Sequence, residues 1–178
     1  MRAESPVVIV EPSPDTPLVW FDVSIRGGAS ADPLGIEGLH RHAAMLARRG
    51  AGRRDRAELD ETLDSLGAAL DLGVSRDAVT LSGVALSRHL DAVIDLAADI
   101  LAEPRFAEDE HAPAARDPAG ARRDPRRRLG ARDTLVRLVV PSRSRHGRTS
   151  LGTEASIARS SAPLRSRSGT ARSSPATS

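Results

Sequence analysis

The chain has no cysteine and no tyrosine, and only three aromatic residues, two Phe and one Trp, among 178 positions. Without cysteine there is no disulfide framework, no thiol nucleophile and no thiolate metal site. Lysine, asparagine and glutamine are missing as well, so all 26 basic residues are arginine. With abundant Ala, Gly and Pro, this is the composition of a strongly GC-biased, bacterial-type coding sequence. No run of 18 or more apolar residues occurs, and the segment from Met1 to Pro14 has no apolar core of signal-peptide length. The composition therefore predicts one small soluble domain, cytoplasmic by default, with no membrane partner. An N-terminal segment missing from the sequence would leave a periplasmic or secreted location open.

The formal net charge of +2 conceals a division. From Met1 to His111, 20 acidic residues face 11 Arg, a net of −9; from Ala112 to Ser178, 4 acidic residues face 15 Arg, a net of +11. No aromatic residue follows Phe106. The chain thus divides into residues 1–111, which carry folding patterns, and residues 112–178, a low-complexity Arg/Pro/Ser-rich segment expected to be disordered.

Within the first part, Val7 to Val10 is a β-branched run, followed by the turn signal Ser13-Pro14-Asp15-Thr16-Pro17 and a second run from Leu18 to Ile25. Together they predict a hairpin. Val19, Phe21, Val23 and Ile25 would share a buried face at period two, with Trp20, Asp22 and Ser24 opposite. A helix-compatible stretch spans about Glu37 to Arg49. Asp55 and Glu58 form a capping-box pair ahead of Leu59, Leu63 and Leu66, with Gly67 as the stop. Ala69 to Val74 and Ala78 to Ala85 read as strands, and a third helix follows Ser87 and stops before Pro104. A fourth opens near Ala107, where Glu108, Asp109 and Glu110 suit a helix N-terminus. The resulting order predicts an α+β domain with a mainly antiparallel sheet packed against helices.

Several segments, in order, resemble the N-terminal domain of the pitrilysin/insulinase family of zinc metallopeptidases, in particular its processing-peptidase branch. They are Val23-Ser24-Ile25-Arg26-Gly27-Gly28-Ala29-Ser30, Gly35-Ile36-Glu37-Gly38-Leu39, Leu63-Asp64-Ser65-Leu66-Gly67-Ala68, Ser75-Arg76-Asp77-Ala78-Val79-Thr80, Leu86-Ser87-Arg88-His89-Leu90-Asp91 and Pro104-Arg105-Phe106. Further on, His146-Gly147-Arg148-Thr149-Ser150-Leu151-Gly152-Thr153-Glu154 is similar to the family's His-Pro-Tyr-Gly-Arg segment and the Leu-Gly-Thr-Glu after it. The resemblance implies a truncated half-domain of that family, with a remnant at 146–157.

The resemblance also implies a zinc site on a helix bearing His-x-x-Glu-His: two imidazoles one turn apart hold the metal and the Glu activates its water. Here Arg41, Ala44 and Met45 occupy those three positions; moved by one residue, His42, Met45 and Leu46 do. Neither register supplies a general base or a second ligand. The family's third ligand would fall in Ala119-Gly120-Ala121-Arg122, which has no carboxylate. His40 and His42 are the remaining metal candidates, but two residues apart on a helix they point to different faces and read as solvent or interface residues. His89 reads as a surface residue, His111 lacks a partner pattern and His146 reads as a loop residue. The expectation is a degenerate, inactive homologue with no catalytic residues, no zinc and no cofactor of its own.

Two partners follow from the resemblance: a second homologous peptidase domain or subunit, and extended peptides held by strand addition. Two other readings stand beside this one. The gene could encode an active zinc endopeptidase whose motif lies elsewhere, or the chain could be a small interaction domain whose basic tail contacts nucleic acid. The tail, densest at Arg126-Arg127-Arg128, has no aromatic residue for base stacking and no nucleic-acid motif, which argues against the last. Its 40-residue spacing from Phe106 to His146 matches the family while its text does not, as reading-frame shifts would produce. The small incomplete core predicts exposed apolar sheet surface and self-association.

Overall fold

The computed structural model describes residues 6–111, 144–153 and 155–159. A three-stranded antiparallel sheet is its frame, built from β1 (Leu18–Arg26), β4 (Ala69–Val74) and β5 (Ala78–Leu86) in the order β1-β5-β4. Helices α1 (Leu39–Ala47), α2 (Arg56–Leu66) and α3 (Leu90–Ala102) complete the α+β fold, with a small ribbon of β2 (Gly50–Ala51) and β3 (Arg54–Asp55) between α1 and α2.

The register makes the period-two pattern physical. Phe21 pairs with Gly83, which pairs with Leu70; Val23 pairs with Leu81, which pairs with Leu72. These side chains lie on the helix-covered face, where Leu81 and Ala85 are fully buried with Leu46, Leu59, Val93, Leu96 and Ile100. The opposite face is polar: Ser24 and Thr80 hydroxyls lie 3.1 Å apart, and the Ser82 hydroxyl donates to the Asp22 carboxylate at 2.5 Å. Trp20 shares that face, 66% exposed. On the core face of β1, Val23 and Ile25 remain 38% and 45% exposed, because the helices pack over β4 and β5 and leave the outer strand thinly covered.

Local signals set the helix ends. Glu58 N–H donates to Asp55 Oδ1 and Asp55 N–H to Glu58 Oε2, both at 2.9 Å, the reciprocal capping box that starts α2. Gly67, at φ 58°, stops it in the left-handed region. Helix α3 is preceded by a 3-10 turn at Ser87–His89 and ends two residues before Pro104.

One expectation needs correction. Residues 7–10 form no strand and no hairpin with β1; they are exposed and have no ladder partner among the described residues. The physical reason lies in the seven residues before β1, where Pro12, Pro14 and Pro17 fix the backbone and remove three donors. A tight hairpin needs a two-residue primed turn instead. Near Ala107, a 3-10 turn at Glu108–Glu110 leads into His111, which is helical, and the rest of the expected fourth helix lies outside the described residues. The expected tail disorder, the short strand from Val136 to Val140 and the region 119–122 lie outside the described residues.

Candidate functional site

The first turn of α1 is held by a loop whose one regular piece is a 3-10 turn at Ala29–Ala31. After β1, residues 27–30 run beside the β4–β5 turn: Gly27 N–H donates to the Asp77 carbonyl at 3.0 Å, Ala29 N–H to Ser75 at 3.0 Å and Ser30 N–H to Arg76 at 2.8 Å. Gly28 permits this approach, since a Cβ there would collide with the Ser75 carbonyl oxygen and lie 2.8 Å from Ala78 N.

Asp32, 3% exposed, is the hub of this loop. Its Oδ2 accepts from Gly38 N–H at 2.6 Å, and its Oδ1 accepts from His40 N–H at 3.0 Å and lies 2.5 Å from His40 Nδ1. The N-cap residue itself, Gly38 at φ 88°, has no side chain to cap with, so Asp32 does the work from six residues upstream. We expect Asp32→Ala to orphan one buried and one part-buried N–H group and destabilise the fold by about 2 kcal/mol, read by urea unfolding. A loss under about 0.5 kcal/mol would contradict the capping role.

Residues 146–157, far along the chain, close over the same loop. Arg148 Nη1 donates to the Asp32 carbonyl at 2.9 Å, Arg76 Nη1 donates to the His146 carbonyl, and the Ser156 hydroxyl donates to the Glu37 carbonyl at 2.7 Å. Residues 155–159 are helical, and Thr153 caps them, its Oγ1 accepting from Ser156 N–H at 3.1 Å. Gly38 packs against Gly152, where a Cβ would sit 2.9 Å from the Gly152 Cα. Hydrogen bonds from the Glu37 and Gly35 backbone hold the Glu37 carboxyl below its ordinary pKa.

Along α1, positions 41, 44 and 45 share one face by their i, i+3, i+4 spacing. Arg41 is half-buried, Ala44 is buried and Met45 packs against the core. A guanidinium, a methyl and a thioether supply no zinc donor of the usual imidazole, thiolate or carboxylate kind. The two histidines next to them diverge. His40 is tied to Asp32, whereas His42 turns inward and is 4% exposed, contrary to the solvent or interface position expected of it. Its Nε2 lies 3.4 Å from Nδ1 of His111, also 4% exposed, with ring centroids 5.5 Å apart. Burial, and then the neighbouring His111, push the His42 pKa down to about 4. Beside them Arg49 Nη1 pairs with Glu110 Oε2 at 2.5 Å. Among the described residues, no three His, Cys, Asp or Glu side chains are grouped to hold a metal.

Across α2 and the end of α3, an open polar cleft of about 760 Å³ is lined by Arg54, Glu58, Glu61, Asp99 and neighbours. Arg54 and Asp99 pair within it at 3.1 Å, and none of the α1 histidines reaches it.

The family model of insulinase, peptidase family M16, matches residues 7–126. The chain belongs to the M16 family. Solved M16-type structures share its fold. A crystal structure described as the peptidase M16 inactive domain from Pseudomonas fluorescens superposes with a TM-score of 0.64 at 17% identity, covering 82% of this chain and 38% of that one. A protease from Helicobacter pylori gives 0.65 at 19% identity, with coverage of 85% and 38%, and pitrilysin gives 0.68 at 14%, with coverage of 88% and 18%. The M16 chain described here therefore spans well under half the length of these structures. No curated protein matches it.

Sequence reasoning missed the His42–His111 pair and the Asp32 cap. Partners 69 residues apart leave no periodic trace. The cap had a local signal, an Asp followed by Gly35 and Gly38 before a helix, but at an unusual distance from the helix start.

Proposed function

We propose that this M16 chain is a non-catalytic family member that holds no zinc and acts as a partner module for a second homologous domain or subunit. The observation that carries the reading is the α1 face itself. In the register that the family resemblance implies, Arg41, Ala44 and Met45 take the places of the metal ligands and base, the one-residue shift gives His42, Met45 and Leu46, and His40 and His42 are engaged by Asp32 and His111. Without a Lewis acid or a positioned base, nothing on this face lowers the pKa of a water or accepts its proton. The similar Pseudomonas fluorescens structure described as an inactive domain supports the same reading.

What the fold retains is the framework: a sheet whose outer strands β1 and β4 have one partner each among the described residues, and a loop ahead of α1 bonded to the returning segment through Arg148 and Ser156. Main-chain hydrogen bonds along a sheet edge hold an extended peptide without any metal.

The test is cleavage of a quenched fluorescent peptide with zinc present, by the chain alone and after mixing with a catalytically active M16 subunit. The reading predicts no turnover alone and a stoichiometric complex on mixing. Chelator-sensitive turnover by the chain alone would overturn it, as would the absence of any complex.

A further inference from the structure

The outer edge of β1 is an exposed edge of the described sheet. In the order β1-β5-β4 the strand bonds only to β5 among the described strands, so one whole side of its nine residues offers backbone donors and acceptors to a further strand. Natural edge strands are guarded by proline, bulges or inward charges. Leu18–Arg26 contains no proline, its pairing with β5 runs through all nine residues without a bulge, and the Asp22 carboxylate is engaged by Ser82. Beside this edge, Val23 and Ile25 show 38% and 45% of their surface on the core side.

The same chain carries an exposed run of matching chemistry that has no ladder partner among the described residues. Val7, Val8, Ile9 and Val10 are 88%, 77%, 90% and 79% exposed, four consecutive β-branched residues of the kind best suited to a sheet. They lie only seven residues upstream of β1 and yet do not pair with it. The connecting prolines direct the run away from its own strand, and Pro17, the last of them, is pinned by its carbonyl accepting from Ser87 N–H at 2.8 Å. A stiff connection that frustrates closure within one chain is the setting in which an identical element is exchanged between chains.

We propose that residues 7–10 of one copy add to the free edge of β1 of a second copy, and reciprocally, giving a strand-exchanged two-fold dimer. The symmetry is closed, because each copy supplies one run and one edge. Side chains alternate across an added strand, so two of the four apolar residues fall on the core side beside Val23 and Ile25, extending the sheet to four strands and covering surface now open to water. A connection of seven residues reaches at most about 23 Å, enough to cross to an abutting copy.

The run is exposed, so it can be altered without touching the core. Light scattering on the eluting full chain at tens of micromolar is expected to give twice the chain mass, and V8D/I9D the mass of one chain with an unchanged circular dichroism spectrum. A wild-type monomer, or a dimer that survives V8D/I9D, would overturn the proposal. The absence of native cysteine allows a second test free of background. Mixing the single variants Val8→Cys and Val23→Cys under mild oxidation is expected to give a disulfide-linked pair of unlike chains. If the double variant instead closes within one chain as a monomer, the run pairs with its own β1 and the exchange is refuted. Mass and cross-linking are independent of zinc and of peptide turnover, so this proposal and the partner role fail separately.

Discussion

Leu81→Ala is expected to cost 2–5 kcal/mol, roughly what a fully buried leucine is worth when its neighbours cannot close the hole. Leu81 is at 0% exposure in the central strand, flanked by Val23 on β1 and Leu72 on β4, with the helices above it. Neither neighbour is free to move in, since each is fixed by a ladder. Against a typical total of about 5–15 kcal/mol for a domain, the loss places the variant near its unfolding threshold. It should lower Tm by more than about 10 °C. Val23→Ala, on the same face but 38% exposed, is the internal comparison and should cost under about 1 kcal/mol. Equal effects for the two would show that the core is not centred on β5.

Acid is the second large effect, and its sign follows from His42. Its pKa in the fold, about 4, lies below the ordinary 6.5, because burial and the adjacent His111 disfavour the charged ring. The fold therefore favours the neutral form. Its stability is complete above pH 6.5 and falls as the pH drops towards 4, where unfolding takes up a proton that the folded state refuses. A depression of that size corresponds to a loss on the order of 3 kcal/mol across the window. Urea unfolding at pH 7.5 and pH 4.5 measures it, and His42→Leu, which removes the titrating ring and keeps the site apolar, should flatten the slope. A wild-type slope that persists in His42→Leu would assign the effect elsewhere. Carboxylates such as Glu37, whose pKa is lowered from the ordinary 4.5, begin to lose their contribution at the acid end of this window, so the comparison with His42→Leu, and not the wild-type slope alone, assigns the effect.

The parts of this fold that were legible in the sequence are those with short-range causes. The α2 helix announces itself through Asp55, Glu58 and Gly67, all within one helix length, and the capping bonds form as the spacing requires. Ala69–Val74 and Ala78–Leu86 follow from alternation and a three-residue turn. The hairpin of residues 7–10 failed because β-branched content describes a segment's fitness for a strand and not the availability of a partner. Three prolines in the connection outweighed it. At the candidate site, positions 41, 44 and 45 were singled out by the resemblance to the family, through one register of its motif helix, and not by local patterning. What surrounds them was not legible: the inward turn of His42 depends on His111, and the first turn of α1 depends on a carboxylate six residues upstream. The segment at 146–157 lies between. Its resemblance to the family was visible, while its contact with Asp32 and Glu37 is tertiary.

The central claim is that an M16 framework persists here without its metal chemistry. Zinc content tests it most directly: the full chain is dialysed against micromolar zinc, freed of loosely held ions, and its zinc per chain is measured by mass spectrometry. The account predicts a content indistinguishable from a metal-free control protein. One tightly held zinc per chain, removed by chelator together with peptide cleavage, would contradict it.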